Sequence, residues 1–216
     1  MTLYRTAYLA LALAVGTPAL AGPFEDGGQA FGRGDYATAL ELWRPLAQAG
    51  DPAAQFNLGV MHDQGRGVDR DAAAAADWYR RAAEQGDVAA AFNLGRLYEL
   101  GQGVPQDLAQ AQDWYGRAAE RGDPMAQNKM GEFLSQGRAG VQDDAAAARW
   151  FEKAARRDHA GAQFTLGNLY ANGRGVDRDL NAAMTWIEKA EHNSCTVGLT
   201  QQAHGPHLKP PIGVGG

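Results

Sequence analysis

Few residues in this chain have the type and spacing that chemistry would need. His204-Gly-Pro-His207, with His192 and Cys195 upstream, brings imidazole nitrogens and a thiol together, which is a donor set for zinc. Such donors bind a metal only when fixed geometry holds them. The Gly and Pro residues around them, from Gly198 to Gly216, read instead as a disordered tail over residues 195–216, so no metal site is expected. Ser135, Ser194 and Cys195 are the nucleophiles to consider, and none lies in a motif with a base and an orienting acid. Gly65-Arg-Gly67, Gly101-Gln-Gly103 and Gly173-Arg-Gly175 resemble phosphate-cradling loops in composition, but no strand precedes any of them. Asp71, Asp107 and Asp179 recur at multiples of one spacing, as helix caps do and acid/base pairs do not. Neither an enzyme nor a bound cofactor is expected.

Composition narrows the partners. With 216 residues, 45% of them apolar and 21% charged, the chain can bury a core. A formal charge of −5 supplies no positive field for a phosphate backbone or an anionic membrane surface, so no nucleic acid is expected. Met1 to Arg5, the apolar run Ala7–Val15 and the small residues up to Ala21 read as a secretory signal peptide over residues 1–21, cut after Ala21. The apolar run is about half the roughly 20 residues a spanning helix needs, so no membrane insertion is expected after cleavage. A periplasmic or secreted location follows. The single cysteine allows no internal disulfide, and helix packing must supply the stability.

The elements that position these residues come from a repeat. Asp51-Pro-Ala-Ala-Gln-Phe-Asn-Leu-Gly59 returns as Asp87-Val-Ala-Ala-Ala-Phe-Asn-Leu-Gly95, Asp123-Pro-Met-Ala-Gln-Asn-Lys-Met-Gly131 and His159-Ala-Gly-Ala-Gln-Phe-Thr-Leu-Gly167, with starts 36 residues apart. Trp78, Trp114, Trp150 and Trp186 keep the same spacing, which assigns them to the core. Four units follow: 51–86, 87–122, 123–158 and 159–194. Each reads as two helices joined by a glycine turn. Ala54, Leu58, Met61 and His62 form one helical stripe. Gly59 beside that stripe costs about 1 kcal/mol of helix propensity, which implies that another helix approaches there closely. Ala75, Trp78, Tyr79, Ala82 and Ala83 form the inner side of the second helix, and Val68, Val104 and Val176 can plug the turns. In the third unit the turn Gly137-Arg-Ala-Gly140-Val141 gains a residue and the alanine run after it loses one. Residues 22–50 read as a degenerate capping repeat, its second helix near 34–50, since a terminal unit lacks a neighbour.

Alanine, Leu-Gly, an aromatic, Gly-x-Gly-Val, Asp, Trp and Ala-Ala-x-x-Gly recur together at residues 54–86 and 90–122. In this the chain resembles the Sel1-like repeat family, relatives of the tetratricopeptide repeats. The resemblance implies an all-α fold, a right-handed α/α superhelix (solenoid) of helix-turn-helix repeats. It further implies that the first helices line a concave face. The positions opposite the apolar stripe would then form a groove for a protein or peptide segment: Asn57, Val60 and Asp63, then Asn93, Arg96 and Glu99, then Lys129, Glu132 and Ser135, then Thr165 and Asn168. The same residues read equally as solvated helix surface. Phe56, Phe92 and Phe164 border that face and are expected to pack between repeats. The expected function is a non-enzymatic exported scaffold or adaptor in the bacterial cell envelope. The alternatives are an inhibitor or regulator of an envelope enzyme, or a β-lactam-binding or hydrolysing protein, activities to which some cysteine-rich members of the family have been linked. This chain lacks their repeated cysteine pairs.

Overall fold

The computed structural model describes the backbone of residues 22–200 and the side chains of residues 22–194. Residues 1–21, read above as a signal peptide, and the histidines at 204 and 207 lie outside them. The described residues form ten helices and no strand: α1 (Pro23–Gly32), α2 (Tyr36–Gln48), α3 (Pro52–Gln64), α4 (Ala72–Glu84), α5 (Val88–Leu100), α6 (Leu108–Glu120), α7 (Pro124–Gln136), α8 (Asp144–Ala155), α9 (Ala160–Asn172) and α10 (Leu180–Thr200). Each first helix packs on the second helix of its own hairpin, and each second helix packs on the first helix of the next. None of these helices is long and apolar enough to cross a membrane.

Local chemistry sets where the helices start and stop. The carboxylates of Asp51, Asp87 and Asp123 accept from the backbone N–H groups of Ala54, Ala90 and Ala126 at 2.7–2.8 Å, capping α3, α5 and α7. His159 takes the same place before α9, where its Nδ1 accepts from the Ala162 N–H at 3.0 Å. Asp71, Asp107, Asp143 and Asp179 cap the second helices in the same way. First helices end on a left-handed glycine, as at Gly65 (φ 67°) and Gly101 (φ 66°).

One contact places the two helices of every unit. A Cβ on Gly59 would lie 2.6 Å from the Tyr79 ring. On Gly95 it would lie 2.9 Å from Tyr115, on Gly131 2.7 Å from Phe151, and on Gly167 2.7 Å from Ile187. The close approach inferred from the glycine spacing is therefore present, and its partner is the residue after each tryptophan. Tyr79, Tyr115 and Phe151 are fully enclosed, whereas of the four tryptophans at the 36-residue spacing Trp78, Trp150 and Trp186 are half-buried and Trp114 alone is buried. Each indole instead carries a cation from the next turn of its own helix: Arg81, Arg117, Lys153 and Lys189 lie 4.0–4.8 Å from the ring centroids.

The N-terminal hairpin α1–α2 uses the same device, with Gly27 pressed against the ring of Trp43, whose indole N–H donates to the Phe24 carbonyl at 3.0 Å. At the other end α10 runs on to Thr200, so residues 195–200, assigned to the tail from composition, continue the last helix.

Neighbouring units are joined by two further contacts. The second glycine of a turn sits on the previous hairpin: Gly67 on Tyr36, Gly103 on the backbone of Ala72, Gly175 on that of Asp144. The third unit has Ala139 in that position, and its side chain cannot enter so close a seat. The turn lengthens, Ala139 packs against the core, and Val141 is left 89% exposed. The other contact is a buried glutamine. Gln55, Gln127 and Gln163 donate to the carbonyls of Ala47, Ala119 and Ala155 in the previous hairpin at 3.0–3.1 Å.

Candidate functional site

The first helices α3, α5, α7 and α9 carry the residues expected to line the groove, and the structure sorts them into three kinds. Asn57, Val60 and Glu99 are buried rather than solvent-facing. Asp63, Asn93, Arg96, Lys129, Glu132, Ser135 and Thr165 are half-buried, and Asn168 is exposed. The burial has separate causes. Val60 belongs to the same core cluster as Phe56 and Tyr79. Glu99 is covered because three side chains converge on it. Asn57 lies in a run of α3, Ala53 to Met61, in which every residue is buried.

Ion pairs join the units across this face. Arg96 of α5 pairs with Asp63 of α3. Glu99 of α5 pairs with Arg138, which reaches it from the long third turn, and Lys129 of α7 lies 3.8 Å away. The Tyr115 hydroxyl donates to Glu99 at 2.6 Å. Lys129 also pairs with Glu132 at 2.9 Å, and the Asn128 amide donates to Glu132 at 2.6 Å. Arg174 of the fourth turn donates to the Ser135 carbonyl and pairs with Asp144, both at 2.8 Å. Burial alone would raise the Glu99 carboxyl, but hydrogen bonds from Tyr115 and Arg138, with the charges of Lys129 and Arg138, hold it below the usual carboxylate range. Burial and Glu99 push the Tyr115 phenol well up, so it stays a neutral donor.

Asp63, Glu99 and Glu132 thus meet Arg96, Lys129 and Arg138 along the face, and the charges cancel within the chain. Along this face the ion pairs lie over an apolar base. Phe56 and Phe92 pack on Tyr79 and Tyr115 of their own hairpins, at 5.9 and 5.3 Å between centroids, within a core cluster that also holds residues of the following units. Phe164 is exposed. Periodicity could not reveal Arg138, because its partner lies 39 residues upstream and depends on an irregular turn.

A concavity of about 450 Å³ opens between the first and second units, lined by Phe56, Val60, Asp63, Tyr79, Asn93 and Arg96. Among the described residues no group of three or more His, Cys, Asp or Glu side chains is placed to hold a metal ion.

The sequence profile of the Sel1 repeat matches five consecutive stretches, residues 21–51, 52–87, 88–123, 124–159 and 160–193. The chain belongs to the Sel1 repeat family. Sel1 repeat proteins are generally non-catalytic scaffolds that mediate protein–protein interaction. Among solved structures, the chain is similar to a protective antigen present in uropathogenic Escherichia coli strains that displays an SLR fold, with 30% identity and a TM-score of 0.76 over 87% of this chain and 42% of that one. It therefore spans less than half the length of the antigen. It is also similar to a Sel1 repeat protein from Oxalobacter formigenes, with 32% identity and a TM-score of 0.73 over 79% of this chain and 69% of that one. A third similar structure, a Sel1 repeat protein from Klebsiella pneumoniae, shares the fold at 20% identity and a TM-score of 0.52, over 83% and 89% of the two chains. No match was found among curated proteins. The Sel1 frame extends to the N-terminal hairpin, where residues 21–51 match as a repeat in their own right.

Proposed function

We propose that this Sel1 repeat protein is an exported, non-enzymatic scaffold of the bacterial cell envelope, which holds a segment of another protein in its concave groove. The observation that carries this reading is the contrast between frame and face. The glycine contact recurs in every unit, against a ring in the first three and Ile187 in the fourth, while the positions along the groove hold Asn57, Asn93, Lys129 and Thr165, and Val60, Arg96, Glu132 and Asn168. A constant frame under a varied face suits recognition of one particular segment, as in other solenoids. The export reading rests on the apolar N-terminal stretch and its small-residue cleavage pattern.

The test is chemical crosslinking of the purified chain in envelope extract, comparing wild type with a double variant, Lys129→Glu and Glu132→Lys. The exchange reverses the Lys129–Glu132 pair and moves the Lys129 charge away from Glu99, 3.8 Å off, so capture is compared only where circular dichroism and melting match wild type. With circular dichroism and melting unchanged, capture of the partner is expected to fall about tenfold or more, because reversed rim charges oppose the partner's own. Undiminished capture would overturn the groove as the binding face.

A further inference from the structure

Every second helix but the last is covered by the first helix of the unit that follows it. Among the described residues no helix follows α10. The position held by the buried Ala76 and Ala148 and the half-buried Gln112 is taken there by Met184, which is 61% exposed. Phe164 of α9 stands in the place of the buried Phe56 and the half-buried Phe92, and it is 53% exposed. Leu180 is 54% exposed, and Ile187 is half-buried where Tyr79, Tyr115 and Phe151 are enclosed. A terminal unit in water should turn polar residues outward. Glu191, in the place of the buried Ala83, Ala119 and Ala155, does so, but Phe164, Leu180 and Met184 do not.

The opposite end of the stack is polar. Ala54, Leu58 and Met61 cluster with Trp43 and Ala47 of the preceding hairpin, and they stand five residues before, one before and two after Gly59. The same offsets from Gly27, the glycine pressed on a ring in α1, fall on Gly22, Asp26 and Gln29. Asp26 and Gln29 are exposed. A second copy stacked head to tail would set the Asp26 carboxylate on Met184 and Ile187, which offer it no partner. Two copies meeting by their C-terminal ends would share few side chains, where a stable dimer engages about 20–30 residues a side.

Residues 201–216 continue directly from α10 and match the face in length and chemistry. Along the helix, Met184 lies ~24 Å and Leu180 ~30 Å from Thr200, at ~1.5 Å per residue. Pro206, Pro210 and Pro211 favour an extended, polyproline-like path. With about four residues spent on the reversal, the rest span ~37 Å at ~3.1 Å each. Ile212 and Val214 then come level with Met184 and Leu180. Lys209, the only Lys, Arg, Asp or Glu in the segment, comes level with Glu191.

We propose that the C-terminal face of the stack, built by Phe164, Leu180, Met184 and Ile187, is the docking surface of the chain's own residues 205–214. They lie back along α10 as an extended strap and close the junction that no further helix covers. Being tethered, the strap meets the face at an effective concentration of about millimolar, so a few apolar contacts and the Lys209–Glu191 attraction hold it. Docked, it withholds these side chains from other chains.

The experiment is hydrogen–deuterium exchange, read by mass spectrometry, on the full chain at two protein concentrations, with a synthetic peptide of residues 201–216 as reference. In the wild type the amides from Leu208 to Val214 are expected to exchange about tenfold or more slowly than in the free peptide, equally at both concentrations. Met184→Glu, at an already exposed position, and Ile212→Asp are each expected to return them to the peptide's rate. Ile212→Asp, though outside every described helix, should also quicken exchange in α10. Val141→Glu, at an apolar residue 89% exposed on the third turn, should leave the protection as it was. Segment amides at the free-peptide rate in the wild type would overturn the strap, as would protection that survives Met184→Glu. Protection that grows with concentration, together with a dimer in sedimentation, would assign the face to a second copy and overturn it equally.

Discussion

His159 stands where the other units place an aspartate, and an imidazole can cap a helix only while its Nδ1 is unprotonated. Burial holds its pKa below the ordinary 6.5, with the carboxylates of Glu132 and Asp123 pulling the other way. A depressed folded value means that this contribution is complete above the unfolded value and is lost as pH falls through the folded one. The melting temperature should therefore drop as pH falls below the ordinary 6.5, and His159→Asp should flatten that drop, restoring a cap of about 1 kcal/mol at the acid end. The buried glutamines give a second prediction at this scale. Gln55 accepts from Gln85 at 2.8 Å and Gln163 accepts from Asn193 at 3.0 Å, but the corresponding residue for Gln127 is Arg157, and the Gln127 Oε1 has no partner. Arg157→Gln is expected to stabilise the chain by about 1 kcal/mol in urea unfolding, because it supplies the missing donor. An unchanged midpoint would show that the oxygen is already satisfied in solution.

Within the elements, the seat of a glycine against the facing side chain, a ring everywhere but at Ile187, fixes how each hairpin closes. Gly131→Ala should destabilise by about 1–3 kcal/mol, since its Cβ would meet Phe151, a ring held in the core. Gly28→Ala in α1, with nothing within 4 Å of the added carbon, should stabilise by about 0.5–1 kcal/mol through helix propensity alone. Denaturation of the two variants separates close packing from backbone entropy. Much of this level was legible in the sequence, because a 36-residue period repeats the same glycine, alanine and aromatic positions and a packed core obliges them to recur. What the period hides is whatever occurs once. It placed Trp78 and Tyr79 together on the inner side, yet only the tyrosine reaches Gly59. It placed Glu99 in open groove, yet Arg138 and Tyr115 cover it through contacts set by one irregular turn. It gave no sign that Asn57 would be enclosed, because burial at one position depends on the whole stack. Composition, too, is a poor guide to where the last helix stops, since Cys195 to Thr200 lie before the Pro-rich stretch and continue α10.

Across the whole molecule, units touch only their neighbours, so stability is a sum of hairpins and junctions. Deleting residues 87–122, one complete period, should leave a folded, shorter rod with a smaller denaturant slope and a lower midpoint. The same deletion removes Arg96 and Glu99, and with them the cancelling charges of the groove.

The junctions are not alike, and the third turn decides which is weakest in acid. Where the first, second and fourth turns rest a glycine on the preceding hairpin, the third relies on Arg138 gripping Glu99. Glycine seats do not titrate. The Glu99 carboxylate does: its lowered value keeps this clamp closed at neutral pH and releases it as protons saturate the group, below the ordinary carboxylate range. Under strong acidification the rod should part first at that one seam, leaving two shorter stacks, and amide exchange should quicken along α5 and α7 before it does along α3 and α4.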